Sequence, residues 1–378
     1  MYKMKKIGIL GGGQLGRMLL QEGANYPLET FVMENDPNCP AAHLCHHFVQ
    51  GDIRNYNDVF AFGQMVDIIT IEIESVNVDA LEALKTLGKT VIPNPSVLRI
   101  INNKINQKAF YAEHAIPSPA FTVTNNLAEL QQQISWLPAV HKIAQGGYDG
   151  RGVQLLKSSA DITKGFDAPS VLEKMVDIKM EIAITVAVGI DGSRALYPAV
   201  EMIFDPYLNL LDYQVCPSQL DQKLIWKAEA IALQVAKSFN GPGLYAVEML
   251  VDIHQNIWVN ETAPRVHNSG HHTIEAHKTS QYDMLWRILL GYPLGSTEAL
   301  SASALVNLIG AEGHSGPVEY DGIEKLLKMD NVYVHLYGKE ITKPGRKMGH
   351  VTILGSDRLA CIIKSRLVKE TASVVSKP

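Results

Sequence analysis

Short apolar runs alternate with helix-like patterns along the first part of the chain. The runs that predict strands cover 6–10, 29–33, 66–73 and 90–92. A glycine-rich turn follows the first run and leads into an amphipathic helix over 14–22. Strands and helices that alternate in this way predict a doubly wound parallel sheet. The segment Pro93-Asn94-Pro95 then marks the end of this unit.

The rest of the chain divides into two further units. Helices are predicted over 98–114 and 221–239. The predicted strands cover 139–144, 153–156, 170–175, 181–189, 195–201, 244–252 and 257–262. From about residue 296 the pattern becomes one of short strands and turns. We therefore predict three domains, residues 1–95, 96–295 and 296–378.

The composition is that of globular domains with substantial cores. Of the 378 residues, 46% are hydrophobic and 19% are charged, and the net charge is -5. This charge argues against the basic surface of a nucleic-acid-binding protein, and no apolar run approaches the roughly 20 residues that span a bilayer. The four cysteines are scattered, which favours a reducing compartment over a disulfide scaffold. We expect a cytoplasmic protein that binds neither nucleic acid nor membrane.

The first glycine-rich turn, Gly11 to Gly16, matches the fingerprint of dinucleotide-binding proteins. Glu34 stands at about the distance expected of a ribose-binding acid. Glycines in such a turn allow backbone N–H groups to approach an anion at a helix N-terminus. The turn therefore predicts either a nicotinamide site, as in a dehydrogenase, or a site for the phosphate of another substrate.

A second glycine-rich segment follows a predicted strand that contains Lys142. Its four glycines are Gly146, Gly147, Gly150 and Gly152. Their N–H groups can wrap phosphates, and Lys142 and Arg151 add positive charge. The alternative is a hairpin loop that is rich in glycine and has no ligand.

Two glutamates, Glu248 and Glu261, lie on adjacent predicted strands. If His254 and Gln255 form a two-residue connection, these glutamates stand directly opposite each other in an antiparallel pair. Like charges that face each other on buried strands are destabilising unless a cation neutralises them. Magnesium, or manganese in its place, binds such carboxylates together with nucleotide phosphates. The alternative is a pair of solvent-facing glutamates on an edge hairpin whose register has slipped.

The glycine segment, the lysine and the carboxylate pair together indicate ATP with magnesium. Phosphoryl transfer needs positioning and charge neutralisation more than covalent help, and these residue types supply both. The chain contains neither a Walker lysine-threonine motif nor a kinase catalytic loop, which argues against those two classes of ATP-binding protein.

Five segments are specific enough to indicate a family. They are 11–18, 70–74, 146–152, 260–271 and 344–350. In these segments the chain resembles the N5-carboxyaminoimidazole ribonucleotide synthetases of the ATP-grasp superfamily, and the resemblance extends from about residue 5 to residue 354. The segment 260–271 distinguishes this family from biotin carboxylase and from the formate-dependent glycinamide ribonucleotide transformylase.

The resemblance implies an α/β ATP-grasp fold with an N-terminal Rossmann-like pre-ATP-grasp domain and a small C-terminal β-rich domain. It implies a ligase of purine biosynthesis that carboxylates 5-aminoimidazole ribonucleotide with bicarbonate and ATP. On this resemblance, bicarbonate is first phosphorylated to carboxyphosphate, and the amine of the ribonucleotide then captures the carboxyl group. ADP and phosphate are the other products, and a homodimer is expected.

The resemblance also implies roles for individual residues. ATP contacts are expected from Lys104, Lys142, Gly146, Gly147, Gly150, Gly152, Glu173, Lys174, Met175, Val176, Glu181 and Asn260. The metal would bind Glu248 and Glu261, and bicarbonate or carboxyphosphate would contact Arg265, His267 and Asn268. The ribonucleotide pocket would contain Gln14, Leu15, Glu72, His271, Lys339 and Arg346, with Tyr148, Asp149 and Arg151 as catalytic residues beside it.

Finer roles are implied within these sets. Residues 173–176 would line the adenine through backbone groups, and Glu181 would bind the ribose hydroxyls. Lys339 and Arg346 would bind the 5'-phosphate of the ribonucleotide. The planar guanidinium of Arg265 suits a two-point contact with a carboxylate or phosphate, which a lysine would match poorly.

Two clusters that contain histidine are not expected to bind metal. The spacing of Cys39, His43, Cys45, His46 and His47 fits no standard zinc pattern. His271 and His272 are adjacent on an expected strand, where neighbouring side chains point to opposite faces.

Three alternatives to the carboxylating ligase remain open. One is a ligase of the same superfamily that uses another acyl donor, such as formate. The second is a nucleotide-binding regulator without catalysis, and the presence of Lys142, Glu248 and Glu261 argues against it. The third is the dehydrogenase.

Overall fold

A computed structural model describes residues 4–147, 152–204 and 211–377 of the chain. The strands within these ranges form four sheets, of five, four, nine and three strands. None of the helices in the same ranges is both long enough and apolar enough to cross a membrane.

The N-terminal residues form the expected parallel sheet. Its strands are β1 (Lys5–Leu10), β2 (Leu28–Glu34), β3 (His47–Gln50), β4 (Ile68–Ile71) and β5 (Thr90–Val91), in the order β3-β2-β1-β4-β5. All of their pairings are parallel. The connecting helices are α1 (Gln14–Gly23), α2 (Tyr56–Gln64) and α3 (Val78–Thr86). The strand order reverses beside β1, so the glycine turn that follows β1 lies at the edge where such sheets bind ligands.

Two short helices replace the single helix expected over 98–114. They are α4 (Pro95–Ile101) and α5 (Lys104–Glu113). The helix breaks because the side chain of Asn103 accepts hydrogen bonds from two N–H groups in the first turn of α5 and so begins a new helix. Lys104 and Lys108, four residues apart on α5, consequently lie on one face.

A four-stranded antiparallel sheet comes next. Its strands are β6 (Phe121–Thr124), β7 (Ala139–Ile143), β8 (Val153–Leu156) and β9 (Ser170–Lys174), in the order β6-β9-β7-β8. The helix α6 (Leu127–Gln131) and two 3-10 turns, Ile134–Trp136 and Ser159–Lys164, pack beside it. Lys142 pairs with Val153 across β7 and β8, so it stands at the base of the glycine segment that joins these strands.

The largest sheet extends through the rest of the chain. Its strands are β10 (Ile178–Val188), β11 (Arg194–Leu196), β12 (Val200–Phe204), β13 (Leu211–Cys216), β14 (Gly243–Asp252), β15 (Ile257–Ala263), β16 (Ala302–Ile309), β18 (Val332–Leu336) and β20 (Lys347–Gly355). The order is β15-β14-β10-β12-β13-β16-β20-β18, and β11 pairs with β10. The small third sheet contains β17 (Gly316–Asp321), β19 (Ile341–Thr342) and β21 (Ser373–Ser376). Because β13 pairs with β16, one sheet continues across the domain boundary expected near residue 296.

Five α-helices lie among the described residues of this part of the chain. They are α7 (Gln222–Phe239), α8 (Thr273–Ala276), α9 (Gln281–Leu290), α10 (Ile323–Leu326) and α11 (Arg358–Thr371). Side-chain caps begin α7, α9 and α11. In α7, the Asp221 side chain accepts from Leu224 N–H at the start, and Asn240 adopts a left-handed conformation at the end. The buried residues of α7, from Ala228 to Phe239, recur at helical spacing and belong to the same core cluster as buried residues of β10 and β14.

The helix α9 fixes the position of the first domain against the large sheet. Trp286 of α9 is fully buried, and its indole N–H donates to Leu19 O of α1 at 2.7 Å. A Cβ atom on Gly23 would lie 2.8 Å from the Trp286 ring, so α1 approaches α9 closely only because residue 23 is glycine. This contact places the N-terminus of α1, with Gln14 and Leu15, against the central part of the molecule.

Candidate active site

Glu248 of β14 and Glu261 of β15 face each other directly across their antiparallel pair. The connection between the strands, 253–256, is two residues longer than expected, which shifts the register by one position. A bulge at Asn260 reverses this shift before the pair is reached. The expected opposition of the two glutamates is therefore confirmed, although the expected two-residue turn is wrong.

Lysines from two elements approach this pair. Lys104 Nζ lies 2.8 Å from Glu261 Oε2, and Lys142 Nζ donates to Asn260 Oδ1 at 2.8 Å. Lys104 lowers the pKa of the Glu261 carboxyl. Burial, and then the charge of Glu261, raise the pKa of the Glu248 carboxyl. One carboxylate is thus held ionised by a lysine, while burial and the charge of Glu261 outweigh the effects of Lys347 and Lys104 on the other.

This donor set fits a hard divalent cation. The two carboxylates and the Asn260 amide supply oxygen atoms, which magnesium and manganese prefer. A nitrogen atom also lies close by, since His267 Nδ1 is 3.7 Å from Glu248 Oε1. A cation between the carboxylates would add to the partial charge compensation that Lys347 and Lys104 give to Glu248.

A buried ion cluster that was not predicted lies beside these lysines. Glu173 Oε2 lies 3.2 Å from Lys142 Nζ and 3.3 Å from Lys108 Nζ. Burial lowers the pKa of Lys108 to about 8. The two lysines lower the pKa of Glu173 although burial opposes this effect. The spacing of Lys104 and Lys108 was the one sequence signal available, because residues four apart on a helix share a face.

The remaining residues expected around the nucleotide lie along β9 and β10. Lys174 is the last residue of β9, and its Nζ donates to Trp136 O at 3.0 Å. Met175 and Val176 form the connection to β10. Glu181 lies within β10, where burial raises the pKa of its carboxyl to about 7. Their roles toward adenine and ribose stay predictions.

The structure describes both ends of the glycine segment. Gly146 and Gly152 have positive φ angles of 80° and 83°, which glycine adopts without strain. A Cβ atom on Gly152 would lie 2.6 Å from the Ile143 side chain, whereas nothing lies within 4 Å of one on Gly146. Gly147 continues from the first end. The expectations for Tyr148, Asp149, Gly150 and Arg151 lie outside the described residues.

The segment after β15 brings Arg265 and His267 close to the glutamates, and Asn268 follows His267 in the chain. Arg265 Nε lies 2.9 Å from Glu74 Oε1, and its Nη1 donates to Val266 O at 3.0 Å. Neither polar atom of the Asn268 amide has a partner among the described residues, although the side chain is buried. The ion pair with Glu74 was not foreseen, even though 70–74 was one of the specific segments. It holds the guanidinium in a fixed orientation at the edge of the first domain.

Glu72 links the glycine turn to the same region. Its Oε1 accepts from Leu15 N–H at 3.2 Å, and a Cβ atom on Gly13 would lie 2.4 Å from that oxygen. Burial raises the pKa of Glu72, and the charges of Arg265 and Lys339 oppose this rise. The Glu72 carboxyl therefore interacts with the Leu15 N–H and with the charges of Arg265 and Lys339. Gln14 begins α1 beside Leu15.

His271 lies in a helical segment, which corrects the expected strand. It falls between the 3-10 turn Asn268–Gly270 and α8. The expectation that His271 and His272 point to opposite faces of a strand is therefore wrong. His271 is buried, and its Nδ1 lies 3.0 Å from the Tyr282 hydroxyl. Burial lowers its pKa well below the usual value, so the ring is neutral.

The two cationic residues expected at the ribonucleotide phosphate lie near β20. Lys339 Nζ donates to Lys347 O at 2.7 Å. Arg346 Nη1 donates to Ile341 O at 2.5 Å, and the residue precedes β20 in a turn. Lys347, which was not foreseen, is close enough to Glu248 for its charge to lower the pKa of that carboxyl, against the larger effect of burial.

Family models match three successive stretches of the chain. They describe a ribonucleotide synthetase pre-ATP-grasp domain over 4–102, an ATP-grasp domain over 109–282 and a phosphoribosylaminoimidazole carboxylase C-terminal domain over 303–364. The N5-carboxyaminoimidazole ribonucleotide synthase of Bacillus subtilis is 32% identical over 361 residues, which cover 93% of this chain and 92% of that protein. The chain belongs to the N5-carboxyaminoimidazole ribonucleotide synthetase family.

Solved structures of the family share the whole fold. The synthetase of Thermotoga maritima has a TM-score of 0.92 at 34% identity, over 99% of this chain and 100% of that one. The enzyme of Aspergillus clavatus in complex with ADP and 5-aminoimidazole ribonucleotide has a TM-score of 0.89 at 30% identity, over 98% and 99%. The phosphoribosylaminoimidazole carboxylase of Vigna aconitifolia is 32% identical over 98% of this chain, which spans 69% of that longer protein. The ATP-grasp fold and the ligase class are thereby confirmed, and the dehydrogenase alternative is wrong.

Proposed function

We propose that this ATP-grasp ligase carboxylates 5-aminoimidazole ribonucleotide with bicarbonate through carboxyphosphate, giving N5-carboxyaminoimidazole ribonucleotide, ADP and phosphate. The observation that carries the proposal is the opposition of Glu248 and Glu261 beside Lys104 and Lys142. Two facing carboxylates next to two lysines and a glycine loop suit the terminal phosphates of ATP. Magnesium, when bound to these carboxylates, neutralises phosphate charge and orients the γ-phosphoryl group.

Lys142 supports the phosphate end of this site. Its ammonium contacts both Asn260 and Glu173, so it is positioned before the nucleotide binds. The backbone N–H groups of Gly146, Gly147, Gly150 and Gly152 would approach the phosphates from the loop side. The nucleotide base would lie along 173–176, with its ribose at Glu181.

Arg265 supports the bicarbonate end. Glu74 holds the guanidinium, and the neighbouring Asn268 carries a buried amide whose hydrogen-bonding groups are available to a ligand. A two-point contact from Arg265 would hold bicarbonate for attack on the γ-phosphorus and then hold carboxyphosphate. His267, close to Glu248, would lie between this contact and the metal carboxylates. Because carboxyphosphate hydrolyses readily, exclusion of water by the glycine segment would protect it.

The ribonucleotide would bind between the glycine turn after β1 and the region near β20. Gln14, Leu15, Glu72 and His271 would surround the imidazole and ribose, and Lys339 and Arg346 would bind the 5'-phosphate. Glu72 lies in the electrostatic environment of both Arg265 and Lys339, which supports the adjacency of the two substrates. Tyr148, Asp149 and Arg151, which lie outside the described residues, would complete the catalytic set. We also propose that the protein is cytoplasmic and forms a homodimer. Light scattering of the purified protein tests the dimer.

The magnesium requirement should increase as the pH falls. Burial raises the pKa of Glu248, so a proton and the cation compete for the same carboxylate. Protonation of Glu248 increases at lower pH. We therefore expect the Mg2+ concentration for half-maximal rate to rise by up to about tenfold per pH unit below the pKa of Glu248. Rates measured from about pH 6.5 to 8.5 with bicarbonate and ATP saturating provide the test. A requirement that stays constant or decreases on acidification would contradict the assignment.

Lys339→Ala should weaken binding of the ribonucleotide alone. Loss of a charged contact to phosphate costs about 1.5–3 kcal/mol, so we expect KM for 5-aminoimidazole ribonucleotide to rise about 10- to 100-fold. KM for ATP should change by less than about twofold. Lys343→Ala is the matched control, because Lys343 is an exposed lysine on the adjacent turn. An effect on KM for ATP only would remove Lys339 from the phosphate site.

The reaction is tested by measuring phosphate release with each substrate omitted in turn. Release should require ATP, bicarbonate and 5-aminoimidazole ribonucleotide together, and formate should not replace bicarbonate. With oxygen-18 bicarbonate, the released phosphate should carry one labelled oxygen, because the oxygen that attacks phosphorus stays on it when the carboxyl group leaves. Unlabelled phosphate would exclude carboxyphosphate, and activity with formate would favour the other ligase. ATP binding without turnover would favour the regulator.

A further inference from the structure

Three buried side chains of the kinds that bind soft metals lie together outside the set assigned to substrates. They are Cys216, His272 and His277, whose side chains are 1%, 1% and 4% exposed. One ligand atom from each lies within 4.8 Å of the other two. Neither Cys216 nor His277 was predicted to bind metal, because they are far apart along the chain and form no recognised metal-binding spacing.

The fold brings the cluster together from two directions. Cys216 is the last residue of β13 and shares a face of the sheet with Gln214, since alternate residues of a strand point the same way. His272 and His277 flank the short helix α8, and their rings meet edge to face at 5.0 Å between centroids. His277 is held in turn by a bridge to Ala299.

The hydrogen-bonding capacity of this cluster is largely unused. Both ring nitrogens of His277 and the Nε2 of His272 are buried and have no hydrogen-bond partner among the described residues. A buried polar group without a partner costs about 1–3 kcal/mol. Ser303, which pairs with Cys216 and so lies on the same face, also has a buried hydroxyl without a partner in the described part of the chain. Such a concentration of unpaired groups suits a site that holds an ion or water.

The ring of His272 is held in place by Gln214 of β13. Gln214 Nε2 lies 3.1 Å from His272 Nδ1 and donates to Ser269 O at 2.9 Å. This contact fixes the orientation of the ring and leaves Nε2, which has no hydrogen-bond partner among the described residues, as the atom that can face a ligand.

We propose that Cys216, His272 and His277 bind one zinc ion. A thiolate and two imidazoles are ligands typical of zinc, and three protein ligands leave the fourth tetrahedral position for water. Zn–S and Zn–N bond lengths imply separations of roughly 3.3–3.7 Å between ligand atoms, so the ligand atoms need to approach one another by at most about 1.5 Å. The Ser303 hydroxyl is placed to hydrogen-bond the thiolate or the water.

The metal would connect two parts of the candidate active site. Cys216 belongs to the large sheet, whereas the segment from Asn268 to His277 contains the residues expected at the carboxyl and ribonucleotide sites. A zinc ion would hold this segment on β13. A surface cleft of about 220 Å³ is lined by Pro217, Ser218, Thr297 and Glu298, which adjoin Cys216 and the Ala299 bridge in the chain.

The test is the metal content of the full-length protein, purified without a metal-binding tag, exposed to zinc and passed over a chelating resin. We expect about one zinc ion per chain, falling below about 0.1 in Cys216→Ala and in His277→Ala. Cys361→Ala is the matched control, because Cys361 is also buried but packs with Val215 on the opposite face of the sheet. Glu261→Gln should retain the zinc, which separates this site from the magnesium carboxylates.

A second measurement keeps the proposal testable if the variants fold poorly. The native protein, reconstituted with cobalt(II), should show the near-ultraviolet charge-transfer band of a thiolate ligand together with tetrahedral d–d bands. The band should persist in Cys361→Ala. Less than about 0.1 zinc per chain in the native protein, zinc retained in Cys216→Ala, or a cobalt spectrum without the thiolate band would overturn the proposal.

Discussion

Glu261→Gln is expected to reduce kcat on the order of 10³-fold, which corresponds to about 4 kcal/mol of lost transition-state stabilisation. The substitution keeps the size of the side chain and removes the charge that faces Glu248 and contacts Lys104. Phosphoryl transfer relies on charge neutralisation around the phosphates, so the loss of one metal carboxylate should affect the chemical step directly. Phosphate release at saturating substrates measures the effect.

The fold of this variant should be preserved, because the Glu261 side chain is 44% exposed and its ion pair is partly screened. Glu319→Gln is the matched control. It is the same substitution at an exposed position of β17, and it should leave kcat unchanged. Circular dichroism and thermal unfolding of all three proteins check the fold. Near-normal turnover in Glu261→Gln would remove Glu261 from the metal site.

Arg265→Lys is expected to lower kcat/KM for bicarbonate about 100-fold while KM for ATP changes by less than about threefold. Lysine keeps the positive charge but loses the planar pair of donors that fits a carboxylate or phosphate. It also loses the orienting contact between Arg265 Nε and Glu74. Rates in buffer depleted of bicarbonate, followed by titration with bicarbonate, give the two constants.

The matched control for this substitution is Arg99→Lys. Arg99 also forms an ion pair with a glutamate, Glu82, but on an exposed helix surface. We expect no change in either constant for Arg99→Lys. An unchanged KM and kcat for bicarbonate in Arg265→Lys would exclude the assigned role of the guanidinium.

Much of the fold could be predicted because local patterns and global packing agree. The parallel sheet follows from buried apolar strands that alternate with helices, and α7 follows from its caps and its apolar stripe. The strand β3 could not be predicted, because it is a short edge strand whose residues are only partly buried. The continuation of the large sheet from β13 to β16 depends on a pairing between distant residues, which local periodicity does not encode.

The glutamate pair shows both the reach and the limit of sequence reasoning. The opposition of Glu248 and Glu261 was predicted from strand spacing. It depends on a longer loop and a compensating bulge at Asn260, and the sequence pattern predicted neither. The side chain of Glu173 contacts Lys108 and Lys142, which only tertiary packing brings together. His271 and His272 were placed on a strand because a short polar segment carries little periodicity with which to distinguish a strand from a helical turn.

The most direct measurement is diffraction from crystals grown with manganese and a non-hydrolysable ATP analogue, with the metal located by its anomalous signal. We expect a manganese ion within roughly 2.0–2.2 Å of oxygen atoms from both Glu248 and Glu261, in contact with the terminal phosphates. An ion bound elsewhere, or nucleotide phosphates that lie away from these two carboxylates and from Lys142, would contradict the assignment of the catalytic site.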